Sequence, residues 1–385
     1  MSEVVIAGIG QIPVGEHWEL PLHTLSSRAI LAALGDAGGL KPQAMYVGNF
    51  LASVVSHQAN LPAQLADHVG LTGIEGITVE AAGASGAAAF RLGYLAVASG
   101  FVDVALVVGV EKVTDVIGAD LESAVSLGAD YDFECVPGMN SKAAAGLLMQ
   151  RYLYEYRPPR QAFGEFAVLA HANAVHNPNA MYRRAISAGA YEKAAMVASP
   201  LNLYDAAPYA DGAAAVVLTR AELAEKTVRH KLVRVSGSSS VIDTLALHDR
   251  SDPLAFQAAA YSVERACRKA GILPQDVDLF ELTDAFSVYA ALSLEAAGFA
   301  KRGEGWKLAQ EGALSLNGKL PILTMGGFKG RGNPLAASGV YQIVEAALQL
   351  RGEAGANQVA QARRALVQTL GGPASTAVTH VLEAL

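Results

Sequence analysis

Short, almost wholly apolar runs alternate with longer stretches of helical spacing in the first part of the chain. Val4–Gly8, Tyr46–Leu51, Ile77–Glu80 and Val104–Val108 are runs of this kind. Runs that are apolar on both faces predict strands inside a covered sheet. Between them, Leu22–Ala37 stops at Gly38-Gly39, Leu61–His68 is short, and Ser85–Ala98 is a stretch of small residues ending near Gly100. Glycine just past the last periodic residue is a helix stop, so these read as helices. Residues from about 116 to 200 break the rhythm. They hold Asp130-Tyr131-Asp132, a helical Ala143–Tyr156, Arg157-Pro158-Pro159-Arg160 and His171–Ala180, and read as an insertion lying over the first half. Ala213–Leu218 returns to a buried strand.

The plan then repeats. Leu232–Val235 is a strand, Ala258–Ala270 a helix stopped by Gly271, and Val277–Glu281 a strand in the place of Tyr46–Leu51. Pro334–Leu350 takes the place of Ala84–Ala98, and Ala365–Thr369 that of Val104–Val108. Local words recur as well: Ala84-Ser85-Gly86 returns as Ala337-Ser338-Gly339, and Gly109 as Gly371. The pattern predicts a duplicated α/β core with halves at 1–228 and 229–385. Its site lies between the halves, where helix N-termini face one cavity.

Composition narrows the class. A chain of 385 residues that is 52% hydrophobic and 17% charged buries a large core and is not a disordered chain. A net charge of -7 gives no reason to expect nucleic acid or an anionic membrane as partner. The two cysteines, Cys135 and Cys267, form no metal-binding spacing, and no metal is expected. No long apolar run or signal-peptide pattern is present, so a reduced cytoplasmic location is the expectation.

Six words in order carry a family resemblance. They are Glu80-Ala81-Ala82-Gly83-Ala84-Ser85-Gly86, Gly109 to Asp115, Asp211-Gly212-Ala213-Ala214-Ala215, Leu247-His248-Asp249-Arg250, Glu281-Leu282-Thr283-Asp284-Ala285-Phe286, and Gly326 to Gly339. Together, over essentially the whole chain, they resemble the thiolase superfamily, in its sterol-carrier and archaeal acetyl-CoA acetyltransferase-like branch. The resemblance implies a five-layered αβαβα fold with an insertion (loop) domain, usually dimeric. The chemistry it implies is thiolysis or Claisen condensation of coenzyme A thioesters, so a thioester is the expected ligand and no covalently bound cofactor is expected. It also implies, as possible partners, a small zinc-ribbon/OB-fold acyl-CoA-binding protein or an active thiolase.

The family's chemistry uses a cysteine at a helix N-terminus, histidines that move protons, and amides that hold the thioester oxygen. This chain departs from that set. Gly83 stands at the nucleophile position, Gly332-Asn333-Pro334 replaces Gly-His-Pro, Thr283-Asp284-Ala285-Phe286 replaces His-Asp-Cys-Phe or Asn-Glu-Ala-Phe, and the last Gly-rich loop is Leu370-Gly371-Gly372-Pro373. Backbone amides at Gly83 and Gly372 remain as an oxyanion cradle.

Each side-chain candidate has a structural alternative. Asn333 orients a thioester oxygen or water, or caps the following helix. Thr283 donates to the same oxygen, or to backbone. Asp284 is a base with a raised pKa, or a structural acceptor. Tyr341 is an acid, or packing; His248 is a spare imidazole, or a loop residue bonded to Asp249. Cys135 and Cys267 are displaced nucleophiles or inert thiols, and His171 and His176 read as helix and capping residues. Lys329 and Arg331 meet the phosphates of coenzyme A at the site mouth, or are solvated charge. Three functions follow. The first is a degenerate, non-thiolytic subunit that binds acyl-CoA or acyl-carrier thioesters within a multienzyme complex. The others are a cysteine-independent retro-aldolase on a β-hydroxyacyl-CoA and an acetyltransferase with relocated catalytic groups.

Overall fold

The computed structural model describes residues 3–385. In chain order its main elements are β1 (Val4–Gln11), α1 (Leu22–Asp36), β2 (Ala44–Gly48), α2 (Leu61–His68), β3 (Glu75–Val79), α3 (Ser85–Ala98) and β4 (Val104–Glu111). The insertion supplies α4 (Gly118–Ser126), α5 (Ser141–Tyr156) and α6 (Gly164–Ala174). Then follow β5 (Gly212–Arg220), β6 (Val233–Ile242), α7 (Gln257–Ala270), β7 (Leu279–Glu281), α8 (Ser287–Ala296), α9 (Ser338–Arg351), β8 (Arg364–Gly371) and β9 (Thr376–Ala384).

The strands run in the order β3-β2-β4-β5-β1-β6-β9-β8-β7. The halves meet edge to edge at β1 and β6, through Val5 opposite Arg234 and Ile6 opposite Val233. Moving outward from that seam, each half has an antiparallel pair of its first and last strands, then another antiparallel pair, then a parallel one. Ile322 bridges Phe280 of β7 in parallel, where β3 pairs with β2 in the first half. The duplication read from the words is therefore a duplication of topology.

Helices α3 and α9 pack on each other between the two halves of the sheet, while α1 covers the outer face of one half and α7 that of the other. That stack is the five-layered αβαβα arrangement. Two glycines allow the central pair to close. A Cβ on Gly86 would stand 2.5 Å from the Ala336 carbonyl oxygen, and one on Gly339 would stand 2.6 Å from the Ala87 nitrogen. Just before each helix a residue takes left-handed backbone, Ala82 at φ 49° and Leu335 at φ 36°. The same strained turn thus delivers both helix N-termini to the middle of the molecule.

The insertion does not lie over the first half, as the sequence suggested. Leu148, Met149 and Tyr152 of α5 and Phe166 and Ala170 of α6 share a core with Phe256, Val263, Phe280, Leu292 and Leu366 of the second half. α4 packs on the first half, its Leu121 and Ala124 joining Leu51 and Val113, and the end of the insertion touches it again where Val14 N donates to the Asn179 carbonyl.

Candidate active site

A cavity of about 100 Å³ opens where the two central N-termini meet the insertion. Gly83 and Leu335 line it from the helix starts, and Leu370, Gly372 and Pro373 from the loop after β8. Thr283, Ala285 and Phe286 come from the word after β7, while Val125, Glu134, Met139 and Ser141 come from the insertion.

The scaffold around it is fixed by buried carboxylates. Glu111, fully buried at the end of β4, accepts from the Asn49 amide, from the backbone of Phe50 and Leu51, and from Ala336 N in the other half. Asp211 accepts from Val113 N and from Thr114 through both its backbone and its hydroxyl. These acids hold the loops of the cavity and do not line it.

Gly83 is the middle residue of the 3-10 turn Ala82–Ala84 that leads into α3. A Cβ built there meets only the Leu370 carbonyl oxygen, at 2.9 Å. Among the described residues, neither Gly83 nor Gly372 gives its backbone N–H to another protein group. Both N–H groups are thus available to an oxyanion, with the helix dipole favouring negative charge. Asn333 divides its roles. Its Oδ1 accepts from Leu335 N and from the Ser338 hydroxyl, both at 3.1 Å, while its amide nitrogen has no protein acceptor among the described residues. Thr283 lines the cavity, but its hydroxyl is committed to backbone: it accepts from Leu370 N at 3.0 Å and donates to the Gln368 carbonyl at 3.3 Å.

Other expected residues stand elsewhere. Asp284 is buried and accepts from Phe328 N at 2.6 Å, so it fixes the 326–331 loop and lies outside the cavity wall. Tyr341 donates to the Ile12 carbonyl at 2.8 Å in the core. His248 is half exposed beside Asp249 and does not line the cavity, although Leu247 does. Lys329 and Arg331 are not at a mouth: both are buried, Lys329 donating to the Asp284 carbonyl and Arg331 paired with Glu345 at 2.8 Å. Arg331 also lies over the rings of Phe328 and Tyr341, which explains an arginine with no exposed surface. Cys135 donates to the Ser126 carbonyl, and burial raises its pKa. Burial pushes Cys267 up to about 11. Neither thiol lines the cavity.

Three ionisable residues that the sequence reading passed over face the cavity. Tyr289 of α8 is 3% exposed, its hydroxyl makes no hydrogen bond among the described residues, and burial raises its pKa, so it is a neutral phenol at pH 7. Tyr209 shares a hydrogen bond with the Ser141 hydroxyl at 2.8 Å. Glu134 is the carboxylate of the wall and accepts from Leu247 N and Asp130 N. Tyr289 stands three residues after Phe286, one turn into the next helix, and that spacing was the available signal.

No helix of the described residues is long and apolar enough to cross a membrane. Residues 4–222 match the family model described as thiolase, N-terminal domain, and residues 239–384 match thiolase C-terminal domain-like. The chain is 37% identical over 383 residues to an acetyl-CoA acetyltransferase of Methanothermobacter thermautotrophicus, covering 99% of each. It is 31% identical to benzoylsuccinyl-CoA thiolase subunit BbsB of Thauera aromatica, covering 96% of this chain and 95% of that one. A solved structure titled "Ltp2-ChsH2(DUF35) aldolase" superposes with a TM-score of 0.86 at 23% identity, covering 99% of this chain and 98% of the other. Both domain models, near-complete coverage and a duplicated sheet around two central helices agree: the chain belongs to the thiolase family.

Proposed function

We propose that this chain binds a short β-hydroxyacyl thioester of coenzyme A in the cavity beside Gly83 and cleaves its Cα–Cβ bond by a retro-aldol reaction, with no acyl-enzyme intermediate. The observation that carries this reading is Tyr289, a neutral phenol with no protein partner for its hydroxyl, in a cavity that contains neither a thiol nor an imidazole. Thiolysis needs both of those groups. Retro-aldol cleavage needs a base for the β-hydroxyl, a cradle for the thioester oxygen, and an acid for Cα.

In this reading the β-hydroxyl gives its proton to Glu134. The Cα–Cβ electron pair moves into the thioester, forming an enolate, and the departing carbon becomes an aldehyde or ketone carbon. The Asn333 amide and the Gly83 and Gly372 N–H groups hold the enolate oxygen. Tyr289 then protonates Cα, and the proton taken by Glu134 returns to the phenolate through water. The side chain absent at Gly83 leaves space for the substrate where an acylated cysteine would stand. The relative named an acetyl-CoA acetyltransferase supports a small acyl group on coenzyme A, and the aldolase of like fold supports the bond that is broken.

A second reading, a thioester-binding subunit that works only in a complex, is supported by the rim. Phe133 is 71% and Val136 66% exposed, flanking Glu134, which lines the cavity. The aldolase structure is titled with a DUF35 partner, and a partner of that type covering this rim is part of the proposal. So is a homodimer through the open edge of β3, where Ile77 is exposed.

The test is turnover of 3-hydroxybutyryl-CoA by the wild type and by Tyr289→Phe and Glu134→Gln. Each variant is expected to lose about 10²-fold or more in kcat, the usual scale of general acid–base catalysis, with thioester binding kept within about threefold. Unchanged turnover in Tyr289→Phe would overturn the assignment.

A further inference from the structure

Of the word Leu247-His248-Asp249-Arg250, only Leu247 faces the cavity. Leu247–Asp249 forms a 3-10 turn, closed by Arg250 N on the Leu247 carbonyl. Leu247 N donates to Glu134 Oε1 at 2.8 Å, so this turn holds the carboxylate of the cavity wall. His248 and Asp249 are exposed and face each other at 3.6 Å. Arg250 turns inward and is 8% exposed. Its Nε donates to the Thr244 carbonyl at 2.8 Å, Nη1 to the Pro373 carbonyl at 2.6 Å and Nη2 to the Leu245 carbonyl at 3.4 Å. Pro373 follows Gly372, and both line the cavity. Asp243 N donates to the Ser375 carbonyl at 2.8 Å, a further tie between the same two loops.

All the acceptors of Arg250 are carbonyl oxygens. Among the described residues it forms no ion pair, so a guanidinium that stays charged is held in the interior with no carboxylate bonded to it. Such a charge is costly to bury. Ionisable groups of three segments bear on it: Asp243 of its own loop, Tyr289 of α8 and Glu134 of the insertion. Burial lowers the pKa of Arg250, and these groups, Asp243 foremost, oppose the fall. The influence is mutual. Burial raises the pKa of Tyr289, and Arg250 opposes that rise, while Tyr209 and Glu134 add to it. In the cleavage proposed above, negative charge starts on Glu134, passes to the enolate oxygen beside Gly372, and is on Tyr289 once Cα is protonated. Arg250 is tied to the segments that hold the first two, and its field reaches the third.

We propose that Arg250 is a positioning residue of the cleavage. Through Pro373 it sets the Gly372 N–H, and through the Leu247 turn it sets the Glu134 carboxylate. Its charge stabilises the anion as it moves from Glu134 to the enolate oxygen and on to Tyr289. This rests on the retro-aldol reading above and deepens it. Arg250 is not on the cavity wall, so it acts without touching the substrate. The Glu134 oxygens keep their own donors, Leu247 N and Asp130 N. Lysine at this position would keep the charge but lose the fork that reaches the carbonyls, and glutamine would lose the charge.

The experiment is steady-state turnover of 3-hydroxybutyryl-CoA by the full chain and by Arg250→Lys, Arg250→Gln and Tyr289→Phe, with the melting temperature of each. Arg250→Gln is expected to lower kcat by about 10²-fold, the scale of one preorganised electrostatic group. Its KM is expected to stay within about threefold, because no contact with substrate is removed. Arg250→Lys is expected to regain about tenfold of that loss by keeping the charge, even where it melts no higher than Arg250→Gln. A merely structural role would make kcat follow the melting temperature, with no advantage for the charged variant, and that result overturns the proposal. If Arg250→Gln does not fold, Asp243→Asn decides. It keeps an acceptor for Thr244 N and removes the carboxylate that most offsets the charge of Arg250, so kcat is expected to rise about twofold. An unchanged or lower kcat in that variant overturns the proposal. Wild-type kcat in Arg250→Gln beside an inactive Tyr289→Phe overturns it while leaving the retro-aldol reading standing. No cleavage by the wild type overturns both.

Discussion

Restoring the missing thiol with Gly83→Cys separates the scaffold from the chemistry. The backbone at this position is outside the left-handed region, so the cost of a side chain is contact alone. That contact is the Leu370 carbonyl oxygen at 2.9 Å, tighter than ordinary van der Waals contact, and nothing else lies within 4 Å. Overpacking of this kind costs about 1–2 kcal/mol, and about 2–4 °C per kcal/mol in a unit of roughly 200 residues gives a fall in Tm of about 2–8 °C. The new thiol sits at a helix N-terminus, which lowers its pKa and makes it nucleophilic. It is therefore expected to react with iodoacetamide at neutral pH and to accept one acetyl group from acetyl-CoA, read by intact mass. No imidazole lines the cavity, so thiolysis of acetoacetyl-CoA stays at background. The thiol also fills space at the cavity wall that Gly83 leaves to the substrate, so lyase turnover is expected to fall. Efficient coenzyme A-dependent thiolysis by this variant would refute the reasoning, because it would show that the remaining groups suffice for the family reaction.

Other outcomes follow from the same geometry. Asn333→Ala removes an amide donor together with an acceptor for Leu335 N, and is expected to lower kcat by about 10²-fold and to cost about 1 kcal/mol in stability, read by kinetics and by chemical denaturation. Gly86→Ala puts a methyl group 2.5 Å from the Ala336 carbonyl and is expected to destabilise the central helix pair by about 1–3 kcal/mol. Glu281 is buried near Glu345, and burial first, then that like charge, raise its pKa to about 8. Its folded pKa lies above the unfolded value, so its contribution to stability is present below about pH 4.5 and is lost as pH rises toward 8. Glu281→Gln should therefore flatten the fall of Tm between pH 5 and 8, and an equal slope in both proteins would contradict the assignment.

Much of the fold was legible because the relevant signals are local. The runs at β2, β4 and β5 are apolar on both faces, and the Ser-Gly words at the starts of α3 and α9 mark helices that touch. The second half was harder. β9 carries Thr379, His380 and Glu383 in its interior, so it does not read as an apolar run. His380 is satisfied there by the Ala87 carbonyl and the Ser238 hydroxyl. α8 is buried almost all round, from Ser287 to Leu294, so it has no polar face to set a period.

The site divided in a similar way. The words located Gly83, Thr283, Asn333 and Gly372 on one cavity wall, since backbone turns fix those positions. They did not show which way Asp284, Lys329 and Arg331 point, because the turn at Gly327–Arg331 buries Lys329 and Arg331 while Asp284, from the segment after β7, points inward to accept from Phe328 N. Glu134 and Tyr209 come from segments distant in sequence, and only the docking of the insertion on the second half brings them beside Tyr289.

The central claim is carbon–carbon cleavage without a thiol, and product analysis tests it most directly. Purified wild-type protein is incubated with 3-hydroxybutyryl-CoA in the absence of free coenzyme A, and separately with acetoacetyl-CoA in its presence. The account predicts acetaldehyde and acetyl-CoA in equal amounts from the first incubation and no acetyl-CoA above background from the second. Acetyl-CoA from the second alone, dependent on free coenzyme A, would contradict it.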